Sequence, residues 1–131
     1  MIKIAIKGKE PRQAIIDIGY PGDVISVNHY LGRRRDGGYY VKPEAKAWME
    51  YLGWLILPYH LEEWELPLTV KCDGWFKDKR STPDLSNLSK CTLDAIEETT
   101  GINDRFIRWE DGKPGIADIP VLRITIRENS K

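Results

Sequence analysis

The residues of this sequence best suited to chemistry concentrate between Lys77 and Asp104. The run Lys77-Asp78-Lys79-Arg80-Ser81-Thr82-Pro83-Asp84-Leu85-Ser86-Asn87-Leu88-Ser89-Lys90 continues to Asp94 and then to Ile102-Asn103-Asp104. Asn87 and Lys90 follow Asp84 at spacings of three, and Asp94 follows Lys90 by four. Residues three and four apart share a helix face, so Asn87, Lys90 and Asp94 form a polar stripe roughly opposite Leu85, Leu88 and Ile96. Carboxylates at Asp84 and Asp104 suit a hard divalent cation such as Mg²⁺, which prefers oxygen ligands and keeps several waters. Such a cation polarises a phosphoryl oxygen and activates a water, while a lysine neutralises charge developing on phosphate. The same residues have plainer uses. Asp84 reads equally as a helix N-cap worth about 1 kcal/mol, Lys90 with Asp94 as a surface ion pair, and Asp104 as an ordinary loop residue.

The elements that must hold these residues are legible from periodicity. Met1 to Lys7 alternates apolar and charged residues as a strand does, whereas Gly8 to Tyr20 is ambiguous between a strand and a short buried turn. Tyr20-Pro21-Gly22-Asp23 signals a turn, and Leu31 to Tyr40 an exposed loop or hairpin tip. Lys42-Pro43-Glu44 starts a helix that should bury Ala47, Met49, Leu52, Leu55 and Ile56 and end near Pro58. His60 to Trp64 follows as a second helical or irregular stretch. Leu66 to Phe76 is the best strand after the first, and Lys77 to Pro83 a charged loop. A helix is expected from Leu85 to about Glu98, with Gly101 as its terminal cap. Phe106 to Trp109 reads as a short strand, Glu110 to Gly115 as a turn, and Ile119 to Arg127 as a final strand. The sum is an α/β (α+β-like) single domain over residues 1–131, a mixed sheet of about four strands with two main helices packed on it.

Composition narrows the function classes. At 131 residues, 41% apolar and 31% charged, the chain is neither membrane protein nor disordered tail. No apolar run approaches a spanning length, and the N-terminus lacks the apolar block of a signal peptide. Two cysteines without a CxxC pair, Cys72 and Cys91, imply reduced thiols in a cytoplasmic protein. His29 and His60 are isolated from other ligands in sequence, which argues against zinc. There is no Gly-rich phosphate loop, serine nucleophile elbow or dinucleotide fingerprint, hence no nucleotide cofactor. Net charge is zero, yet it is unevenly spread: Arg33, Arg34, Arg35, Lys42 and Lys46 outnumber Asp36 and Glu44 between Arg33 and Lys46. Affinity for phosphates depends on such local clusters, so neutrality does not exclude a polyanionic partner.

The stretch resembles the RusA family of crossover-junction endodeoxyribonucleases, the small Holliday-junction resolvases common in prophages. The resemblance rests on Pro83-Asp84-Leu85-Ser86-Asn87-Leu88 with Lys90 and Leu93-Asp94-Ala95-Ile96, followed by Asn103-Asp104. The family pattern is D-x-D-N-x-x-K-x-x-x-D-A-L, then an Asp or Asn-Asp pair. A looser likeness covers Pro21, Asn28-His29-Tyr30 and the basic loop Arg33-Arg34-Arg35, so that it spans about residues 20 to 127. It implies Asp84 and Asp104 as metal-binding catalytic carboxylates, Lys90 as the catalytic lysine, and Asn87 and Asp94 as supporting helix positions. It also implies four-way junction DNA as substrate, Mg²⁺ (with Mn²⁺ as substitute) as cofactor, and a homodimer that makes two symmetric cuts. Ser86 departs from the pattern, standing where the family has a second aspartate, and a neutral hydroxyl is a weaker ligand. The alternative is a branched-DNA-binding protein that does not cut, with Ser86 marking a degenerate site; in a third reading, a structural adaptor, Asp84 is only a cap.

Around this centre, Lys77, Lys79 and Arg80 precede Asp84, and Arg105 and Arg108 follow Asp104, as phosphate contacts would. The loop from Arg33 to Tyr40 reads either as a DNA clamp with stacking tyrosines or as a solvated hairpin tip. The five tryptophans read as core or interface residues. One expectation comes from chain geometry. A straight helix from Leu85 to Glu98 is about 21 Å long, and Thr100 to Asp104 retraces at most about 17 Å. Asp104 would then complete the site of a two-fold partner rather than its own.

Overall fold

The computed structural model describes residues 10–129, so the strand expected over Met1 to Lys7 lies outside the described residues. Eight regular elements follow: β1 (Gln13–Gly19), β2 (Leu31–Arg33), β3 (Tyr39–Val41), α1 (Pro43–Ile56), β4 (Leu68–Phe76), α2 (Ser89–Thr100), β5 (Ile107–Ile116) and β6 (Val121–Arg127). Four strands form one mixed sheet in the order β1-β6-β4-β5, and β2 and β3 form a separate hairpin. β6 pairs antiparallel with both β1 and β4, while β5 lies parallel to β4. Parallel neighbours need a crossover. Here that crossover is the segment carrying the candidate site, from Lys77 through α2 to Asp104.

Period-two alternation puts one face of the sheet in the core. Ala14, Ile16 and Ile18 of β1, Leu122, Ile124 and Ile126 of β6, and Leu68, Val70, Cys72 and Phe76 of β4 are all buried. The ambiguous stretch before Tyr20 is therefore a strand; Ile15, between two buried residues, is 51% exposed on the open face. On α1 the buried stripe is Ala45, Trp48, Met49, Leu52, Gly53 and Ile56, the i, i+3, i+4, i+7 spacing of an amphipathic helix. Ala47, expected in the core, is exposed because that stripe runs through Ala45 and Trp48 instead, and Leu55 is half-buried. α2 turns Cys91, Thr92, Ala95 and Ile96 inward, and Gly53 of α1 lets the Thr99 side chain pack directly against the backbone.

The turn expected over Glu110 to Gly115 is instead the second half of β5. β5 is a sheet edge, where Pro114 removes no ladder hydrogen bond that a second neighbour would need. The pairing shifts register between Cys72 and Gly74. There the Asp73 carboxylate accepts from the Lys113 backbone N–H at 2.9 Å, in space that a Cβ on Gly112 would fill. Among the described residues no helix is long and apolar enough to cross a membrane.

Candidate functional site

After β4 the chain enters the charged loop, where Asp78 accepts from the Ser81 N–H and hydroxyl, both at 2.8 Å. These bonds lower the Asp78 carboxyl below its usual value. Lys77, Lys79 and Arg80 stand exposed around it. The helix expected from Leu85 begins as a 3-10 turn over Leu85–Leu88 and becomes α-helical only at Ser89. Asp84 caps that turn. Its Oδ1 accepts from the Ser86 backbone N–H at 3.3 Å and from the Ser86 hydroxyl at 3.0 Å. Asp84 itself is exposed, and Asn87 ties the turn to the neighbouring segment by accepting from the Val27 N–H at 2.7 Å through its backbone carbonyl.

One α-helical turn along, Lys90 Nζ donates to Asp94 Oδ1 at 3.1 Å. The other oxygen of Asp94 accepts from the Tyr30 hydroxyl at 2.8 Å. Burial, and then the bond to Asp94, push the Tyr30 phenol well above its ordinary range, so it remains a donor. Lys90 Nζ also lies 3.9 Å from Asp104 Oδ2. The hydrogen bond to Asp94 raises the lysine above its usual value, and Asp104 adds to that.

The Asp104 contact falls within one chain. Gly101 ends α2 in the left-handed conformation, φ 80°, with its N–H bonded to the Glu97 carbonyl at 2.7 Å. That turn sends the chain back along the helix. Lys90 to Thr100 rises about 15 Å, within the reach of the returning segment, so Asp104 of one chain meets Lys90 of the same chain. A 3-10 turn of residues Asp104–Phe106, capped by the Asn103 side chain accepting from the Arg105 N–H at 3.0 Å, then leads into β5.

Lys90, Asp94 and Asp104 are thus brought together. Among the described residues, Asp84 makes no hydrogen bond or ion pair with them; it is joined to Ser86. The side chains of Lys90 and Asp104 are 52% and 44% exposed, an open surface suited to a large ligand rather than a closed pocket. Arg105 stacks over Phe106 at 4.8 Å and Arg108 is exposed on β5. The stretch from Arg33 to Tyr40 is a β2–β3 hairpin whose tip closes through Arg34 N–H to the Gly38 carbonyl at 2.7 Å. Arg33, Arg34 and Arg35 all point into solvent, and Tyr39 and Tyr40 are exposed. Trp48 and Trp64 are core residues, Trp75 and Trp109 half-buried, and Trp54 is 71% exposed.

Two features were not read from the sequence. Tyr30 reaches the site from 64 positions away, and only its place beside Asn28 and His29 in the family-like segment hinted at it. His60, Glu62 and Glu63 bring one ligand atom each within 4.8 Å of one another, all exposed, after α1; this group contains none of the candidate carboxylates.

The surface of Lys90, Asp94 and Asp104 is open, and the arginines and lysines that flank it in sequence are exposed, which suits a polyanionic ligand. The particular polyanion follows from kinship: the family described as Endodeoxyribonuclease RusA matches residues 21–127, and the chain belongs to that family. It is therefore a member of a family of endonucleases that hydrolyse DNA in resolving Holliday junctions. No curated protein matches the chain at a significant level.

Proposed function

We propose that the chain is a divalent-metal-dependent endonuclease that resolves four-way junctions by paired phosphodiester hydrolysis, with Asp84, Lys90 and Asp104 of one chain as its working groups. The observation that carries this reading is the return of Asp104 to within 3.9 Å of Lys90, in a stretch the family pattern covers. Asp84 and Asp104 offer hard carboxylate oxygens on an open surface, and two carboxylates suit Mg²⁺ or Mn²⁺, since Mg²⁺ keeps several waters. A bound ion supplies Lewis-acid activation of water and of the phosphoryl oxygen. Ser86 supports Asp84 rather than replacing the missing carboxylate: its hydroxyl donates to Oδ1, which orients the carboxyl but adds no negative charge. The site consequently calls for more metal than a three-carboxylate site would.

Lys90, fixed between two carboxylates, faces the scissile phosphate as a point charge and offsets the negative charge that grows there during attack. Arg33, Arg34, Arg35, Lys77, Lys79, Arg80, Arg105 and Arg108 hold phosphates of the junction arms and recognise its shape, with base preference secondary. Two cuts related by a two-fold axis call for a homodimer, each protomer bringing its own site.

The test is a labelled synthetic four-way junction incubated with protein over a Mg²⁺ and Mn²⁺ series, with a linear duplex of the same sequence as control. Paired nicks in the junction alone, lost in Lys90→Ala, are expected. Binding without product at any metal concentration would favour the non-cleaving reading that Ser86 raises.

A further inference from the structure

Lys90 sits on an exposed helix face, where a lysine ordinarily samples many rotamers and a single ion pair holds it weakly. Its partner Asp94 lies four residues C-terminal, the less favourable order for such a pair. A lysine that must face one phosphate needs a partner that does not itself swing, and here the partner is clamped. Asp94 spends one oxygen on Lys90 at 3.1 Å and the other on the Tyr30 hydroxyl at 2.8 Å. The Tyr30 residue is 1% exposed, so its position is set by the core. Its backbone is bolted at both ends: its N–H donates to the Ser26 carbonyl at 3.1 Å, and its carbonyl accepts from the Lys42 N–H at 2.9 Å. The same turn holds the site segment through the Val27 N–H to the Asn87 carbonyl at 2.7 Å.

We propose that Tyr30 is a positioning residue for Lys90, fixing the Asp94 carboxylate so that the ammonium is presented to the scissile phosphate in one orientation. The inference rests on the hydrolytic role given to Lys90 above. Tyr30 touches no substrate in this account. Its effect is orientation, which governs the chemical step more than junction affinity.

Single-turnover cleavage of a labelled four-way junction in Mn²⁺ is compared for wild type, Tyr30→Phe, Asp94→Asn and the double variant. Tyr30→Phe is expected to slow cleavage about tenfold, with junction affinity without divalent metal unchanged. In the Asp94→Asn background it is expected to slow cleavage no further. Wild-type rate in Tyr30→Phe, or the full tenfold loss persisting in the double variant, would overturn the proposal. A second readout needs no activity: the side-chain ammonium signal of Lys90 in ¹⁵N-lysine-labelled protein is expected to broaden or move toward those of free surface lysines in Tyr30→Phe, while the backbone spectrum stays folded. An unchanged Lys90 signal overturns the proposal even for a protein that cuts nothing, so its failure is separable from failure of the nuclease reading.

Discussion

Gly101 offers the sharpest test of how the fold builds the site. It has φ 80° at the end of α2, and a Cβ there would meet nothing within 4 Å. Replacing it with alanine therefore introduces no crowding, and the cost is the backbone conformation alone, about 1 kcal/mol for a residue with a Cβ in the left-handed region. For a domain of 131 residues that corresponds to a fall in Tm of about 3–5 °C. Any relief of that strain opens the turn which returns Asp104 to Lys90. Misplacement by about 1 Å costs up to about 100-fold in rate, so Gly101→Ala should lose at least about tenfold in single-turnover junction cleavage while remaining folded at 25 °C. Asparagine tolerates the left-handed region better than alanine, so Gly101→Asn should recover most of both losses. The assays are a thermal melt and cleavage of a labelled junction in Mn²⁺. An alanine variant as stable and active as wild type, or an asparagine variant as impaired as the alanine one, would refute the reasoning.

Three further outcomes follow from other parts of the molecule. Burial pushes the Cys72 and Cys91 thiols up to about 12, so a thiol reagent at pH 8 should label neither in the native protein and both in denaturant; because the raised values favour the protonated folded form, their contribution to stability is held below about pH 9 and lost as pH rises toward 12. Glu128 is held down at about 2, first by the Arg12 side chain and then by the Glu65 backbone N–H, so its contribution is present above about pH 4.5 and lost as pH falls toward 2; Glu128→Gln should cost about 1–2 kcal/mol in urea unfolding at pH 7 and little at pH 2. Replacing Arg33, Arg34 and Arg35 together with alanine should weaken junction binding and flatten its dependence on log salt by about 3, without changing the melting temperature.

Much of this was readable in advance where periodicity was clean. The buried alternation of β4 and β6 and the apolar side of α2 follow directly from the sequence pattern. Ala14-Ile15-Ile16-Asp17-Ile18 was ambiguous because Ile15, apolar but on the open face, masks the alternation of Ala14, Ile16 and Ile18. Glu-Asp-Gly-Lys-Pro-Gly reads as a turn by local chemistry, yet edge position and the Asp73 bond to Lys113 keep it in the sheet. The Lys90–Asp94 pair and the capping role of Asp84 were legible because a single local segment carries them. The return of Asp104 was not, since a straight-helix estimate from Asp84 says nothing of how far back the left-handed Gly101 turn carries the chain. Tyr30 was hidden for a different reason: its contact with Asp94 is purely tertiary.

The central claim is that Asp84 and Asp104 share one divalent ion, and counting that ion tests it most directly. Electron paramagnetic resonance titration of Mn²⁺ should find one ion per chain at this site in wild type and in Lys90→Ala, and none there in Asp84→Asn or in Asp104→Asn. Wild-type Mn²⁺ binding in either asparagine variant would contradict the account.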